Sequence, residues 1–84
     1  MYAVHFSCAN SKCTYEKWLD YFEIVAKALT EIGEDIYGPC WVENDEGAQR
    51  FGLTKKRALQ IVSCLKDLDI PIEVNYTKTL KWLW

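Results

Sequence analysis

Apolar residues alternate with small or polar ones at the start of the chain and then change to a spacing of three and four. The alternation over residues 2–7 predicts a strand with one buried face. Beyond residue 13 a single apolar stripe predicts a helix, with Thr14 as its N-cap and Gly33 at its end. The members of the stripe are Trp18, Phe22, Val25, Leu29 and Ile32.

The middle of the chain has the pattern of a β-hairpin. Residues 36–43 hold apolar side chains next to Pro39, which predicts a short strand at a sheet edge, where a missing backbone N–H is tolerated. Residues 44–47 have the composition of a turn, in which Gly47 is free to adopt a positive φ. Residues 48–53 then return as the second strand of the hairpin.

The last third repeats the helix and strand patterns. Thr54 is the predicted N-cap of a second helix, which ends before Pro71. The alternation over residues 72–77 predicts a final strand, which either continues to Trp84 or turns back near Thr77. The apolar stripe of the second helix consists of Ala58, Ile61, Val62, Leu65 and Leu68.

The predicted order of elements is β-α-β-β-α-β. Two βαβ halves of this length, joined by a tight hairpin, favour an α+β protein of the ferredoxin-like kind, with an antiparallel sheet and both helices on one face. Residues 1–84 are expected to form a single domain, because the chain is short and contains no linker or repeat.

The composition favours a folded cytoplasmic protein. Half of the 84 residues are hydrophobic, which excludes a disordered chain. No apolar run reaches the roughly 18 residues of a membrane span, and the chain starts with a strand pattern where a secretion signal would have an apolar core. We therefore expect no membrane association, and reduced cysteines with no need for a disulfide.

No motif in the sequence indicates catalysis. The single histidine, His5, has no nucleophile or orienting group at a recognisable spacing. The chain contains neither a glycine-rich phosphate loop nor a G-x-S-x-G turn. We predict that the protein is not an enzyme and uses no cofactor.

The loop between the first strand and the first helix carries Cys8 and Cys13. In position it resembles the copper-binding loop of heavy-metal-associated domains, and the resemblance would imply a thiolate metal site. The spacing departs from the C-x-x-C of those domains, because four residues separate the two cysteines. A metal site at Cys8 and Cys13 is therefore the weaker hypothesis, and we expect no bound metal. Cys40 and Cys64 are expected to be small core residues.

Charge is unevenly distributed in a chain of net charge −2. Lys55, Lys56 and Arg57 fall in the first turn of the second helix, where cations are unfavourable unless an anion compensates them. The strand parity predicts that Arg50 and His5 lie on the open face of the sheet. We expect these five residues to form the functional surface, which could bind a protein or, as an alternative, nucleic acid.

The chain ends in an aromatic segment, Leu80-Lys81-Trp82-Leu83-Trp84. Trp82 is expected to pack on the sheet. Trp84 carries the terminal carboxylate, and we expect its ring to be an exposed anchor for a partner or for a homodimer.

These features favour a small binding module that acts through protein–protein contacts. In size and in its lack of catalytic motifs the chain resembles the small viral or mobile-element proteins that phages use as inhibitors of a host or defence protein. A nucleic-acid-binding domain and a thiolate metal-binding domain are the alternatives.

Overall fold

The computed structural model describes residues 1–8, 13–43 and 47–80. These ranges contain six elements, in the order β-α-β-β-α-β. They are β1 (Tyr2–Cys8), α1 (Tyr15–Glu31), β2 (Trp41–Glu43), β3 (Gly47–Leu53), α2 (Lys55–Lys66) and β4 (Ile72–Lys78).

The four strands form one antiparallel sheet in the order β2-β3-β1-β4. The α+β class predicted from the pattern is confirmed, with two helices and a four-stranded sheet. β2 lies at one edge, as its proline led us to expect, and β4 lies at the other. No helix in the described ranges is long and apolar enough to cross a membrane.

The hydrophobic core lies between one face of the sheet and the apolar stripes of both helices. On β1 this face carries Val4 and Phe6, which are both fully buried. Phe6 is at the centre, because its ring lies 5.7 Å from that of Trp18 and 6.0 Å from that of Trp41. The alternation and the helical stripes therefore predicted the core correctly, since each places its apolar residues on one side of its element.

Both helices begin as the sequence predicts. The hydroxyl of Thr14 accepts a hydrogen bond from the backbone N–H of Lys17, and the hydroxyl of Thr54 accepts one from Arg57. α1 ends at Glu31, and Gly33, two residues later, has a φ of 83°, the left-handed conformation that favours glycine.

The alternation of β3 is interrupted by a β-bulge. Tyr2 pairs with Leu53 and Val4 pairs with Arg50, so two residues of β3 oppose a single residue of β1. Gly52, with φ of 85°, makes this possible. Because of the extra residue, Leu53 and Arg50 both lie on the helix-facing side of the sheet, together with their β1 partners. The prediction that Arg50 lies on the open face is wrong.

Gly47 also differs from its prediction. It begins β3, and it is absent from the glycines with positive φ. A Cβ at this position would overlap the carbonyl oxygen of Phe6, so the close approach of β3 to β1 is what requires a glycine here.

The cysteines depart from expectation in two ways. Cys8 and Cys13 form a disulfide that joins the end of β1 to the residue before the cap of α1, with their Cα atoms 6.4 Å apart. The expectation of reduced thiols at these positions is wrong. Cys64 is half-buried, but Cys40 is an exposed free thiol and not a core residue.

The final strand ends at Lys78. Trp82 and Trp84 lie outside the described residues, so the predictions made for them are not tested by the structure.

Candidate functional site

The topology brings several connections together at one end of the sheet, which we call the lower end. α1 ends there, segment 33–40 leads from it into β2, and α2 begins there after Thr54. The register of the sheet agrees with this arrangement, because Trp41 at the start of β2 pairs with Arg50 near the end of β3. The lower end therefore combines side chains from two helices and two strands.

A buried carboxylate, that of Glu34, is the centre of the lower end. Its side chain is only 8% exposed. Oε1 accepts a hydrogen bond of 3.1 Å from the indole N–H of Trp41 and forms an ion pair of 2.8 Å with Nε of Arg50. Oε2 accepts two hydrogen bonds from Arg57, of 3.1 Å from Nε and 2.7 Å from Nη2. We call these four residues the Glu34 cluster.

Local structure explains why these residues meet. The left-handed turn at Gly33 lets the backbone N–H of Glu34 bond back to the carbonyl oxygen of Leu29 at 2.9 Å, which fixes Glu34 directly below α1. Trp41 and Arg50 are cross-strand partners on the same face, so both side chains approach from the sheet.

Arg57 connects the two helices. Its Nη2 donates to the carbonyl oxygen of Ile32 at 2.7 Å, and its Nη1 donates to Gln60 at 2.8 Å. The last turn of α1 contains no basic residue, so this guanidinium is the cation at the negative end of the α1 dipole. The same contacts compensate the unfavourable position of Arg57 in the first turn of α2.

The charges of the Glu34 cluster do not balance. One carboxylate faces two guanidinium groups, and it accepts one hydrogen bond from Trp41 and two from Arg57 beside its ion pair with Arg50. Every nitrogen of the Arg57 guanidinium has a partner. Within the described ranges Arg50 has the Nε ion pair as its side-chain contact, and this buried Nε is oriented so that it donates no hydrogen bond. A guanidinium has five N–H donors. The surplus positive charge therefore lies at Arg50.

Arg50 lines an open cleft of about 220 Å³. The other lining residues are Gly33, Glu34, Asp35, Gly38, Pro39 and Cys40. The carboxylate of Asp35 accepts a hydrogen bond from the backbone N–H of Tyr37 at 3.0 Å, and the Asp35 carbonyl oxygen accepts one from Gly38 at 2.9 Å. These bonds hold segment 33–40 in a tight turn that forms one wall of the cleft.

The segments that meet at the lower end also carry an exposed aromatic ring and two exposed cations. Tyr37 is 72% exposed, yet one side of its ring packs against Phe22 with centroids 5.7 Å apart. Lys55 and Lys56 are exposed in the first turn of α2. A ring that is held on one side and open on the other presents a large contact area without much loss of side-chain entropy.

The five residues predicted to form one surface are divided by the structure. Lys55 and Lys56 are at the lower end, as expected of the start of α2. Arg57 and Arg50 are turned inward to Glu34, so they do not lie beside the two lysines as free cations. His5 pairs with Gln49 and Asn75 on the sheet face away from the helices. Trp84, the remaining predicted contact residue, lies outside the described ranges.

Sequence reasoning missed Glu34, Trp41 and the turn that carries Tyr37. A carboxylate directly after a helix-ending glycine was a weak signal for Glu34. Nothing in the pattern indicates its pairing with Arg57, which is 23 positions away.

Free Cys40 lines the cleft, and the other three cysteines lie elsewhere. The disulfide occupies the sulfur atoms of Cys8 and Cys13, so they are not thiolates in this structure. The described parts of the chain contain no cluster of three or more histidine, cysteine or acidic residues that could hold a metal ion. Burial raises the pKa of the Cys64 thiol, and the negative charges of Glu31 and Asp67 add to the effect.

Comparison with known proteins adds no family to this description, because no family model, no curated protein and no solved structure matches the chain.

Proposed function

We propose that the protein is a small non-enzymatic binding module that recognises a partner protein with its lower end. The observation that carries the proposal is the juxtaposition of an open cleft, a surplus guanidinium and an exposed, supported tyrosine. Tyrosine and arginine are the residues most enriched among those that dominate protein–protein affinity, and they act best in preformed surroundings.

The dimensions of the cleft also favour a protein partner. Pockets that enclose a small molecule or a cofactor measure about 300–1,000 Å³. The cleft of about 220 Å³ is smaller and open, so it fits one side chain of a larger ligand. Tyr37 and the two lysines would then contact the surface around that side chain.

Nucleic-acid binding stays as the alternative, and it now depends on fewer residues. Lys55 and Lys56 are exposed at the positive end of α2, where phosphate binding is favoured. Arg57 is engaged with Glu34 and Ile32, so it adds little to such a site. Two lysines provide a weak electrostatic contact, because affinity for nucleic acid depends on the number of phosphates neutralised.

The finer assignments belong to this proposal. The order of elements supports a ferredoxin-like fold. We further propose a cytoplasmic inhibitor of a host or defence protein, similar in profile to small phage or mobile-element proteins, with self-association through Trp84. Free Cys40 and Cys64 agree with a reducing compartment, whereas the Cys8–Cys13 disulfide is typical of an oxidising one. Rapid alkylation of cell lysates decides between them, since oxidised Cys8 and Cys13 in the cell would contradict the cytoplasmic location.

The test is a capture experiment with matched variants. Tyr37→Ala is compared with Tyr15→Ala, because Tyr15 is 69% exposed and lies at the start of α1, at the opposite end of the molecule. Lys55→Glu combined with Lys56→Glu is compared with Lys66→Glu, at the far end of α2. Proteins from the native cell are captured on each variant and quantified by mass spectrometry.

We expect a partner that is retained by the wild type and by both control variants, and lost with both lower-end variants. A partner that is lost equally with Tyr15→Ala or Lys66→Glu would contradict the choice of surface. Capture that disappears after nuclease treatment, or that falls steeply with salt, would instead favour the nucleic-acid alternative.

A further inference from the structure

The proposed function does not specify which kind of side chain the cleft at the lower end binds. Among the residues that line it, Arg50 is the cation, and its side chain is 19% exposed. Its buried Nε lies 2.8 Å from Glu34 in an ion pair that is not a hydrogen bond. A guanidinium is planar and presents five donors in a rigid fork, so one that pairs with Glu34 through Nε alone has donors left that suit a second carboxylate.

The surrounding charges agree with an acidic ligand. Glu34 is already shared by two arginines, so it does not neutralise Arg50 fully. Lys55 and Lys56 are exposed at the same end of the molecule and add two positive charges there. Asp35 opposes it, but its carboxylate is exposed and bonded to the backbone of its own turn, so solvent screens much of its charge.

We infer that the cleft binds a glutamate or aspartate side chain from an acidic segment of the partner protein, with Arg50 as the direct contact and Lys55 and Lys56 contacting the neighbouring acids. The inference rests on the proposed function for the existence of a partner. The binding chemistry itself is independent of the identity of that partner, so it can be tested with a synthetic probe.

The probe is an acetylated and amidated tetraglutamate peptide, titrated into the ¹⁵N-labelled full chain. Tetraglutamine, in the same form, is the matched neutral control. Two signals report directly on the site: the side-chain Nε–H of Arg50 and the indole N–H of Trp41, which both contact Glu34. They are assigned from the spectra of Arg50→Lys and Trp41→Phe.

We expect saturable shifts of both signals with tetraglutamate, none with tetraglutamine, and weakening by salt. Arg50→Gln should lower the affinity about tenfold or more, because it removes a charge-assisted hydrogen bond. Lys55→Gln combined with Lys56→Gln should lower it about two- to fivefold, while Lys66→Gln should leave it unchanged.

One variant keeps the test decisive if Arg50→Gln disturbs folding. Asp35→Asn retains the oxygen that accepts from Tyr37 and removes the opposing charge. It should strengthen tetraglutamate binding about two- to fivefold. Unchanged or weaker binding by Asp35→Asn would contradict an anion in this cleft.

Three further results would overturn the inference. Tetraglutamine could shift the two signals as strongly as tetraglutamate. Inorganic phosphate, or a neutral peptide with a free C-terminal carboxylate, could saturate them at lower concentration, which would assign a different anion. The signals could also move on raising the protein concentration alone, which would identify a second copy of this chain as the ligand.

The outcome separates this inference from the proposed function. If the tetraglutamate peptide does not bind and partner capture still depends on Tyr37, the acidic ligand is wrong and the binding module stands. If the peptide binds through Arg50 but no captured protein depends on Tyr37 or on the two lysines, the anion site stands and the proposed interface is wrong.

Discussion

α1 is attached to the rest of the molecule at both ends, and by opposite means. Its start is joined to β1 by the disulfide between Cys8 and Cys13, which are only 5 positions apart. Its end is joined to α2 and to the sheet through the Glu34 cluster, where Arg57 is 23 positions from its partner. The first attachment is covalent and local. The second is noncovalent and depends on the whole fold.

The difference indicates where stability and function are linked. A local covalent connection acts mainly by restricting the unfolded chain, so its loss need not disturb the native contacts. A buried charge cluster exists only in the folded state, and losing one member leaves the others uncompensated. Changes at the lower end should therefore affect both folding and ligand binding, and changes at the disulfide should affect folding alone.

The largest effect is expected from breaking the lower end at its centre. Glu34→Ala leaves Arg50 and the indole N–H of Trp41 without their partner and removes two of the four side-chain hydrogen bonds of Arg57. Breaking a fully buried pair costs about 3–5 kcal/mol. Arg50 and Arg57 are 19% and 27% exposed, so solvent compensates part of the loss. We expect the free energy of unfolding to fall by about 2–4 kcal/mol in urea denaturation.

Glu34→Gln is the control, since it keeps the shape and one acceptor and should cost less than Glu34→Ala. An equal free energy of unfolding for the wild type and Glu34→Ala would mean that the Glu34 cluster contributes nothing to stability.

The next effect is the loss of the upper attachment. The disulfide closes a short loop, for which the chain-entropy relation gives about 2 kcal/mol. Reduction, or Cys8→Ser combined with Cys13→Ser, should lower the free energy of unfolding by about that amount, measured in urea with and without a reductant. Tetraglutamate binding should be unchanged in the same samples. A loss of binding on reduction would contradict the separation of the two ends.

A smaller effect isolates the indole of the Glu34 cluster. Trp41→Phe preserves an aromatic ring in the core beside Phe6 and removes the donor to Oε1 of Glu34. We expect a loss of about 0.5–1.5 kcal/mol in the free energy of unfolding, the typical net value of one hydrogen bond, with a further contribution from the smaller ring. Trp41→Ala is the comparison, because it also removes the ring and should cost more than Trp41→Phe.

The smallest effect concerns the coupling between the two ends. Cys8 is four residues along β1 from the partner of Arg50, which corresponds to about 13 Å of strand. Sites at such a separation usually act additively within about 0.5 kcal/mol. We expect the combination of Glu34→Ala with the two serine substitutions to equal the sum of its parts in urea denaturation. A larger coupling energy would show that α1 transmits the loss of one attachment to the other.

The sequence predicted those parts of the molecule whose information is local. Thr14, Thr54 and Gly33 mark the limits of the helices because capping depends on the side chain at a single position and its immediate neighbours. The core followed from periodicity for the same reason. The order of elements and the α+β class could therefore be derived without the structure.

The errors arose where geometry depends on a single residue or on distant partners. The bulge at Gly52 changes the side of the sheet on which Arg50 lies, and alternation has no signal for an inserted residue. Arg57 looked like part of a solvent-facing basic turn, since its carboxylate partner comes from a different element. The oxidation of Cys8 and Cys13 depends on how closely a loop brings two thiols together, which spacing alone does not determine.

The glycine at the start of β3 affects how related sequences should be interpreted when they are compared. Gly47 faces the carbonyl oxygen of Phe6, and any L side chain would push β3 away from β1. That displacement would carry Arg50 away from Glu34, although Gly47 itself belongs to neither the cluster nor the cleft. In a saturation library position 47 should be among the least tolerant positions. An invariant glycine there across relatives would reflect selection on strand spacing and would not mark a point of contact with a ligand.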